Sequence, residues 1–226
     1  MAVNMWMRPS GELRITVGLA SRTGRRPDNQ DFVAAYQATS AERVTHGAVV
    51  ALADGVGGAK GGRIAAELVC RSFIDAYFSL PPTLGVAIAA DKALSGINRW
   101  LNGMASADSA MEGAATTFTA LVLRDRFVHL LHVGDSRAWL LRDGALSQLS
   151  TDHALPGPED SHILFRAVGI EPTVRLDYSV LMLEAHDRLL LTSDGVHGVM
   201  TDQALEDLAG RLGPPDRDAD AVVAAA

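Results

Sequence analysis

Apolar residues recur along this chain in two rhythms. Short runs at Leu13–Ala20, Phe32–Tyr36, Val49–Ala53, Thr116–Leu123, Phe127–Val133, Arg137–Leu141, Ala145–Leu149, Val174–Leu183 and Arg188–Thr192 have the length and branching of strands. Between the third and fourth runs the spacing turns helical. Ile64, Leu68, Val69, Phe73, Ile74 and Tyr77 mark Ile64–Phe78, and Val86, Ile88, Leu94, Ile97 and Leu101 mark Leu84–Leu101. Pro81-Pro82 separates these helices, which are expected to pack on a sheet as an antiparallel pair. Asn102–Gly113 reads as a polar loop. The strands from Thr116 to Leu149 are joined by Arg124-Asp125-Arg126, Gly134-Asp135-Ser136 and Asp143-Gly144, which predicts an antiparallel meander. Thr151–Pro158 is a loop, and His162–Val168 has no clear rhythm. Thr201-Asp202 is placed to cap a helix from Gln203 to Leu212, and a last helical stretch covers Asp218–Ala226.

Two strand ends stand out. Val49–Gly62 reads V-V-A-L-A-D-G-V-G-G-A-K-G-G: an apolar strand that stops at Asp54-Gly55, then glycines, then a helix from Arg63. Leu189–Gly198 reads L-L-L-T-S-D-G-V-H-G and repeats the Asp-Gly-Val-x-Gly ending. A carboxylate at the mouth of a buried strand, beside backbone that a ligand can approach closely, suits a hard cation. Brought together, the two ends would place Asp54 and Asp194 on one ion or ion pair. Asp143-Gly144 lacks the Val-x-Gly continuation and is the ordinary hairpin use of Asp-Gly. Asp135, after a fully apolar strand, is either a tight turn or a third strand-end carboxylate.

Composition narrows the classes. A formal charge of −7 argues against nucleic acid as the main ligand. No apolar run reaches membrane-span length, and the start lacks a signal-peptide core. The single cysteine, Cys70, falls on a helical apolar face, excludes an internal disulfide and fits a reducing, cytoplasmic setting. The glycine-rich stretch does not fit a P-loop or a dinucleotide fingerprint, because Lys60 stands between Ala59 and Gly61, so no nucleotide cofactor is expected. No H-E-x-x-H or Gly-x-Ser-x-Gly is present. His129 and His132 are expected to be structural, and His153, in a loop after Asp152, is either functional or, by default, a surface histidine. The loop Ser21–Asp31 carries Arg22, Arg25 and Arg26, and arginine can clamp two phosphate oxygens at once.

Taken in order, six segments resemble the metal-dependent type-2C serine/threonine protein phosphatases, the PPM family, and its bacterial branch most. They are R-P-D-N-Q-D (Arg26–Asp31), A-D-G-V-G-G (Ala53–Gly58), A-T-T-F-T-A (Ala115–Ala120), H-V-G-D-S-R (His132–Arg137), L-S-T-D-H (Leu149–His153) and T-S-D-G-V-H-G-V-M-T-D (Thr192–Asp202). The resemblance implies an α+β fold: two packed, mostly antiparallel sheets forming a β-sandwich, flanked by pairs of antiparallel helices in α-β-β-α layers. It implies two Mn²⁺ or Mg²⁺ ions bridged by Asp54, with the Gly55 carbonyl and Asp194 as ligands and Asp31 acting through bound water. Arg26 would hold the substrate phosphate, and Asp135 would join Asp194 at a third, weaker metal site. Arg26, Asp54 and Asp194 are then the catalytic residues. The partners implied are a phosphoprotein substrate and a cognate Ser/Thr kinase.

Four departures from the family pattern matter, the mildest being Gln30 in place of a frequent glutamate, which bacterial members often tolerate. Val56 stands where eukaryotic members carry a proton-donating histidine, leaving the general acid unassigned. The stretch from His153 to Val168 is short for the family's flap. The family's closing Asp-Asn-x-Thr strand is not found, and Asp218 and Asp220 lie too near Asp194 in sequence to replace it. Residues 1–226 are therefore expected to form one catalytic domain lacking that strand, by truncation of a longer protein. The alternative is a phosphoprotein-binding module without turnover.

Overall fold

The computed structural model describes residues 2–7, 13–24, 26–39, 45–56, 60–157, 163–211, 213 and 215–226. Arg25, Gly57, Gly58, His162 and Leu212, which figured in the sequence reading, lie outside the described residues.

The strands are β1 (Ala2–Met7), β2 (Leu13–Gly18), β3 (Asp31–Gln37), β4 (Ala48–Val56), β5 (Ala115–Thr116), β6 (Phe118–Arg124), β7 (Phe127–Val133), β8 (Arg137–Arg142), β9 (Ala145–Gln148), β10 (Asp177–Met182) and β11 (Arg188–Thr192). The helices are α1 (Lys60–Ser79), α2 (Gly85–Ala107), α3 (Asp194–His197), α4 (Asp202–Ala209) and α5 (Pro215–Ala225). One sheet runs β2-β1-β11-β8-β9 and the other β10-β7-β6-β4-β3, with β5 pairing β4, and every pairing is antiparallel.

Strand alternation builds three hydrophobic layers. On β4, Val49, Ala51 and Ala53 face α1 and α2, while Val50 and Leu52 face the other sheet. Leu121, Leu123, Val128 and Leu130 meet Ala138, Leu140, Leu189 and Leu191 between the sheets. On the far side, Trp139, Leu141 and Leu190 pack against Leu205, Ala209 and Val222 of α4 and α5. This is the expected sandwich with helices on both outer faces.

Several local expectations change. The meander is split: β6 and β7 belong to one sheet, β8 and β9 to the other, and the chain crosses between them at Gly134-Asp135-Ser136. Strand β4 does not stop at Asp54 but runs on to Val56, held by β5 through Gly55↔Thr116. Asp194 does not end a strand in the same manner; it opens the short helix α3, so the doubled motif adopts two different conformations. Helix α2 continues to Ala107, through what reads as loop, and α1 begins at Lys60. The chain bends by 94° between the two helices, close to a right angle and not the antiparallel pair expected. Ile64 and Ile88 face solvent, because alanines such as Ala65, Ala66, Ala89 and Ala90 make the close contact instead. Strand β1 had no alternating signature and is defined by its partners β2 and β11. Asp143, at φ 53°, and Gly144, at φ 81°, form the expected hairpin turn. Among the described residues no single helix is long and apolar enough to cross a membrane.

Candidate metal centre

The inter-sheet core ends in carboxylates and hydroxyls. Read along β4, the residues facing the other sheet are Val50, Leu52 and then Asp54; along β3 they are Val33 and Asp31. Asp31 and Asp54 are direct cross-strand partners. From the facing sheet, the step after Leu189 and Leu191 is Ser193, and its hydroxyl donates to Asp31 Oδ2 at 2.6 Å. Asp194 follows at the start of α3, and it and Asp31 both act on the Asp54 carboxyl. Arg26 Nη2 lies 3.1 Å from Asp194 Oδ2.

Two acids directly opposed on a sheet repel. Burial deepens the conflict: Asp54 is only 8 % exposed. Its carboxyl is pushed up to about 10, first by loss of water and then by Asp31 and Asp194. Asp31 shifts upward for the same leading reason. The Arg26 guanidinium shifts upward because Asp194 holds its charge. A fold gains nothing from such crowding, which marks a site with work to do.

The floor under Asp54 is a net of buried hydroxyls. Its N–H is accepted by Thr117 Oγ1 at 2.9 Å, and its carbonyl accepts from Thr117 N and Thr116 Oγ1, each at 2.8 Å. Thr117 Oγ1 also meets Ser136 Oγ at 2.8 Å, tying β4 to the turn that carries Asp135. Gly55 is required sterically, since an added Cβ would meet the Gly62 backbone at 2.4 Å.

Of the six expected site residues, four converge: Arg26, Asp31, Asp54 and Asp194. Asp135 lines the same cavity of ≈ 880 Å³. Its carboxyl is raised to about 6, chiefly by desolvation and then by Asp194. Gly55 sits beside Asp54 in β4 and is not among the cavity-lining residues. Neither Asp218 nor Asp220 reaches the cavity; Asp218 bonds to Arg188, and Asp220 lies 3.8 Å from Arg22. Among the described residues no three His, Cys, Asp or Glu side chains close round a common point as a finished cage. Arg26, drawn onto Asp194, takes up part of the space and charge there.

Sequence reasoning overlooked Ser193, Thr116, Thr117 and Ser136, although each stands inside a quoted motif. It also overlooked Arg137, whose guanidinium makes a two-pronged pair with Asp152, Nη2 to Oδ2 at 2.8 Å, inside the cavity. His153 is not at the surface but 3 % exposed. His132 and His129 are structural as expected: His132 meets Thr119 and Thr151, and His129 meets the Tyr178 hydroxyl.

The sequence profile of the family described as protein phosphatase 2C matches residues 21–219. This chain belongs to that family. The serine/threonine phosphatase stp of Listeria welshimeri is 30% identical over 178 residues, covering 71% of this chain and 71% of that protein. The serine/threonine protein phosphatase PstP of Mycobacterium tuberculosis is 31% identical over 176 residues, covering 70% of this chain and 33% of that protein. The crystal structure of Stp1 from Staphylococcus aureus superposes with a TM-score of 0.79 at 20% identity, over 94% of this chain and 91% of that one. The phosphatase 2C fold is thus shared over 94% of this chain, and the chain is an enzyme of the protein phosphatase class.

Proposed function

We propose that this phosphatase hydrolyses phosphoserine and phosphothreonine in proteins with divalent cations held by Asp31, Asp54 and Asp194, assisted by the Gly55 carbonyl and Asp135. The observation that carries the reading is the convergence of three carboxylates on one cavity, Asp31 and Asp54 desolvated and Asp194 half-exposed, with Arg26 as the only cation bonded to them among the described residues. The donor set is all oxygen, and its charge is offset only in part by Arg26, which suits Mg²⁺ or Mn²⁺ and not a thiophilic ion. When bound, two such ions, with a third and weaker one, supply charge neutralisation at phosphoryl oxygens and a water of lowered pKa.

The chain's own residues do the rest. The Arg26 guanidinium, at the cavity mouth, can carry two parallel hydrogen bonds to phosphate oxygens. Ser193 orients Asp31, and Thr116 and Thr117 hold the Asp54 backbone, so neither acid can swing away. A phosphocysteine is excluded, because Cys70, the one thiol in the chain, is buried in the helix–sheet core with its pKa pushed up; the reading takes water as the acceptor of the phosphoryl group. His197 lines the cavity, but burial lowers it to about 4, so at neutral pH it holds no proton to give a leaving group. The reading sets the enzyme in a bacterial cytoplasm, opposing a Ser/Thr kinase.

The test is turnover of p-nitrophenyl phosphate and a phosphothreonine peptide with and without Mn²⁺. Asp54→Ala and Asp194→Ala should each lower kcat/KM by at least about 100-fold, since a metal's contribution of several kcal/mol is at stake. Undiminished turnover in both variants would reject the assignment.

A further inference from the structure

His153 stands outside the carboxylate cluster, yet it is tied to the turn that carries Asp135. Gly134 N donates to His153 Nδ1 at 3.0 Å, and His153 N donates back to Gly134 O at 2.8 Å. We place the ring proton on Nε2, because Nδ1 faces a peptide N–H; Nε2 lies 3.0 Å from the acceptor Asp177 Oδ2 and also 3.0 Å from Arg166 Nη1. Burial lowers the ring's pKa and keeps it in this neutral form. Asp177 Oδ1 accepts from Arg166 at 2.7 Å, and Phe165 N donates to His153 O at 3.0 Å. The same stretch of chain reaches β5, where Val168 and Thr116 exchange both backbone bonds, at 2.9 and 3.0 Å. Thr116 in turn holds the Asp54 carbonyl.

The turn needs such a hold. Gly134 has φ +112°, a conformation open to glycine, and an added Cβ would meet the Thr117 side chain at 2.6 Å. A glycine this free in the unfolded chain points the next residue anywhere unless its peptide is anchored. The next residue is Asp135, which must face Asp194.

We propose that His153 is a positioning residue for Asp135: by accepting the Gly134 N–H it fixes the turn that presents the Asp135 carboxylate to the cavity, and through Asp177 it ties that turn to residues 163–168. The role rests on the reading that Asp135 contributes to a cation site. It is indirect, since His153 touches neither the carboxylate cluster nor substrate.

Two substitutions separate the positioning role from mere packing. His153→Asn retains an acceptor where Nδ1 stands and loses the reach to Asp177. His153→Gln retains a donor where Nε2 stands and loses the acceptor for Gly134. Mn²⁺ is titrated by calorimetry into the full chain, with Asp135→Asn identifying the binding step that depends on Asp135. Outer-shell partners of metal ligands are worth about 10- to 100-fold in affinity, so His153→Gln should weaken that step by about 10-fold or more, with His153→Asn closer to the parent. In the metal-free protein, the Gly134 amide should exchange with solvent faster in His153→Gln than in His153→Asn. If both variants protect that amide equally, or if Asn weakens the Asp135 step more than Gln does, the positioning role is overturned. A parent protein that binds no Mn²⁺ and turns over no phosphoester would instead sink the proposed function, and the amide readout would still decide the clamp.

Discussion

At the scale of single residues, the site is a set of charges that the fold alone cannot tolerate. The Asp54 carboxyl is pushed up to about 10 by burial, then by Asp31 and Asp194, against about 4 in an unfolded chain. A raised pKa means that the folded state keeps a proton that the unfolded state has released. Metal-free protein should therefore lose stability as pH rises from about 4 towards about 10, with Asp31 shifting in the same direction. Thermal unfolding across that range, with Asp54→Asn as control, checks this: the slope should flatten in the variant, and Mn²⁺ should raise the melting temperature most at the alkaline end. A metal-free melting temperature that climbs with pH through this window would contradict the crowded-carboxylate account. The position of Asp54 was legible in the sequence, because a carboxylate ending a run of buried residues is out of place there. The role of Ser193 was not, because a serine beside an aspartate carries no signal until it is seen to bond a residue 162 positions away.

At the scale of elements, the decisive feature is how β4 meets β5 and β6. Thr117 lies between β5 and β6 and offers its side chain, not its carbonyl, to the Asp54 N–H. Thr117→Val preserves shape and removes that acceptor along with the contact to Ser136. A buried N–H left unpaired costs about 1–3 kcal/mol, so urea unfolding should show a loss of that size, and phosphatase activity should fall with the shift of Asp54. Helices were easier to place than to bound. The apolar spacing located α1 and α2, but Ile64 and Ile88 point outward, because the alanine face allows closer approach to the sheet than branched side chains would. The Thr201 cap was visible in sequence, and its hydroxyl does accept from Ala204 N. That signal is local, as capping always is.

At the scale of the whole molecule, the far side of the sandwich is tied down by one buried cation. Arg188 on β11 donates to the carbonyls of Ala209 and Arg211 at the end of α4 and to Asp218 Oδ2 of α5 at 2.9 Å. Removing one member of a buried ion pair strands the other, at about 3–5 kcal/mol. Asp218→Ala should lower the unfolding free energy by that amount in a denaturant titration while leaving turnover near that of the parent below its melting point, since Asp218 does not line the cavity. From the residues alone came most of the strands, the two long helices and the carboxylates at strand ends, because alternation, helical spacing and an acid amid buried residues are features of neighbouring positions; the sandwich with its outer helices came from the resemblance of six ordered motifs to a known family. Tertiary structure alone decided which sheet each strand joins, that β8 and β9 leave β6 and β7, that Asp194 begins a helix, and that His153 is buried against Gly134. These depend on hydrogen bonds and contacts between distant segments, whose free energy exists only once the chain has closed on itself.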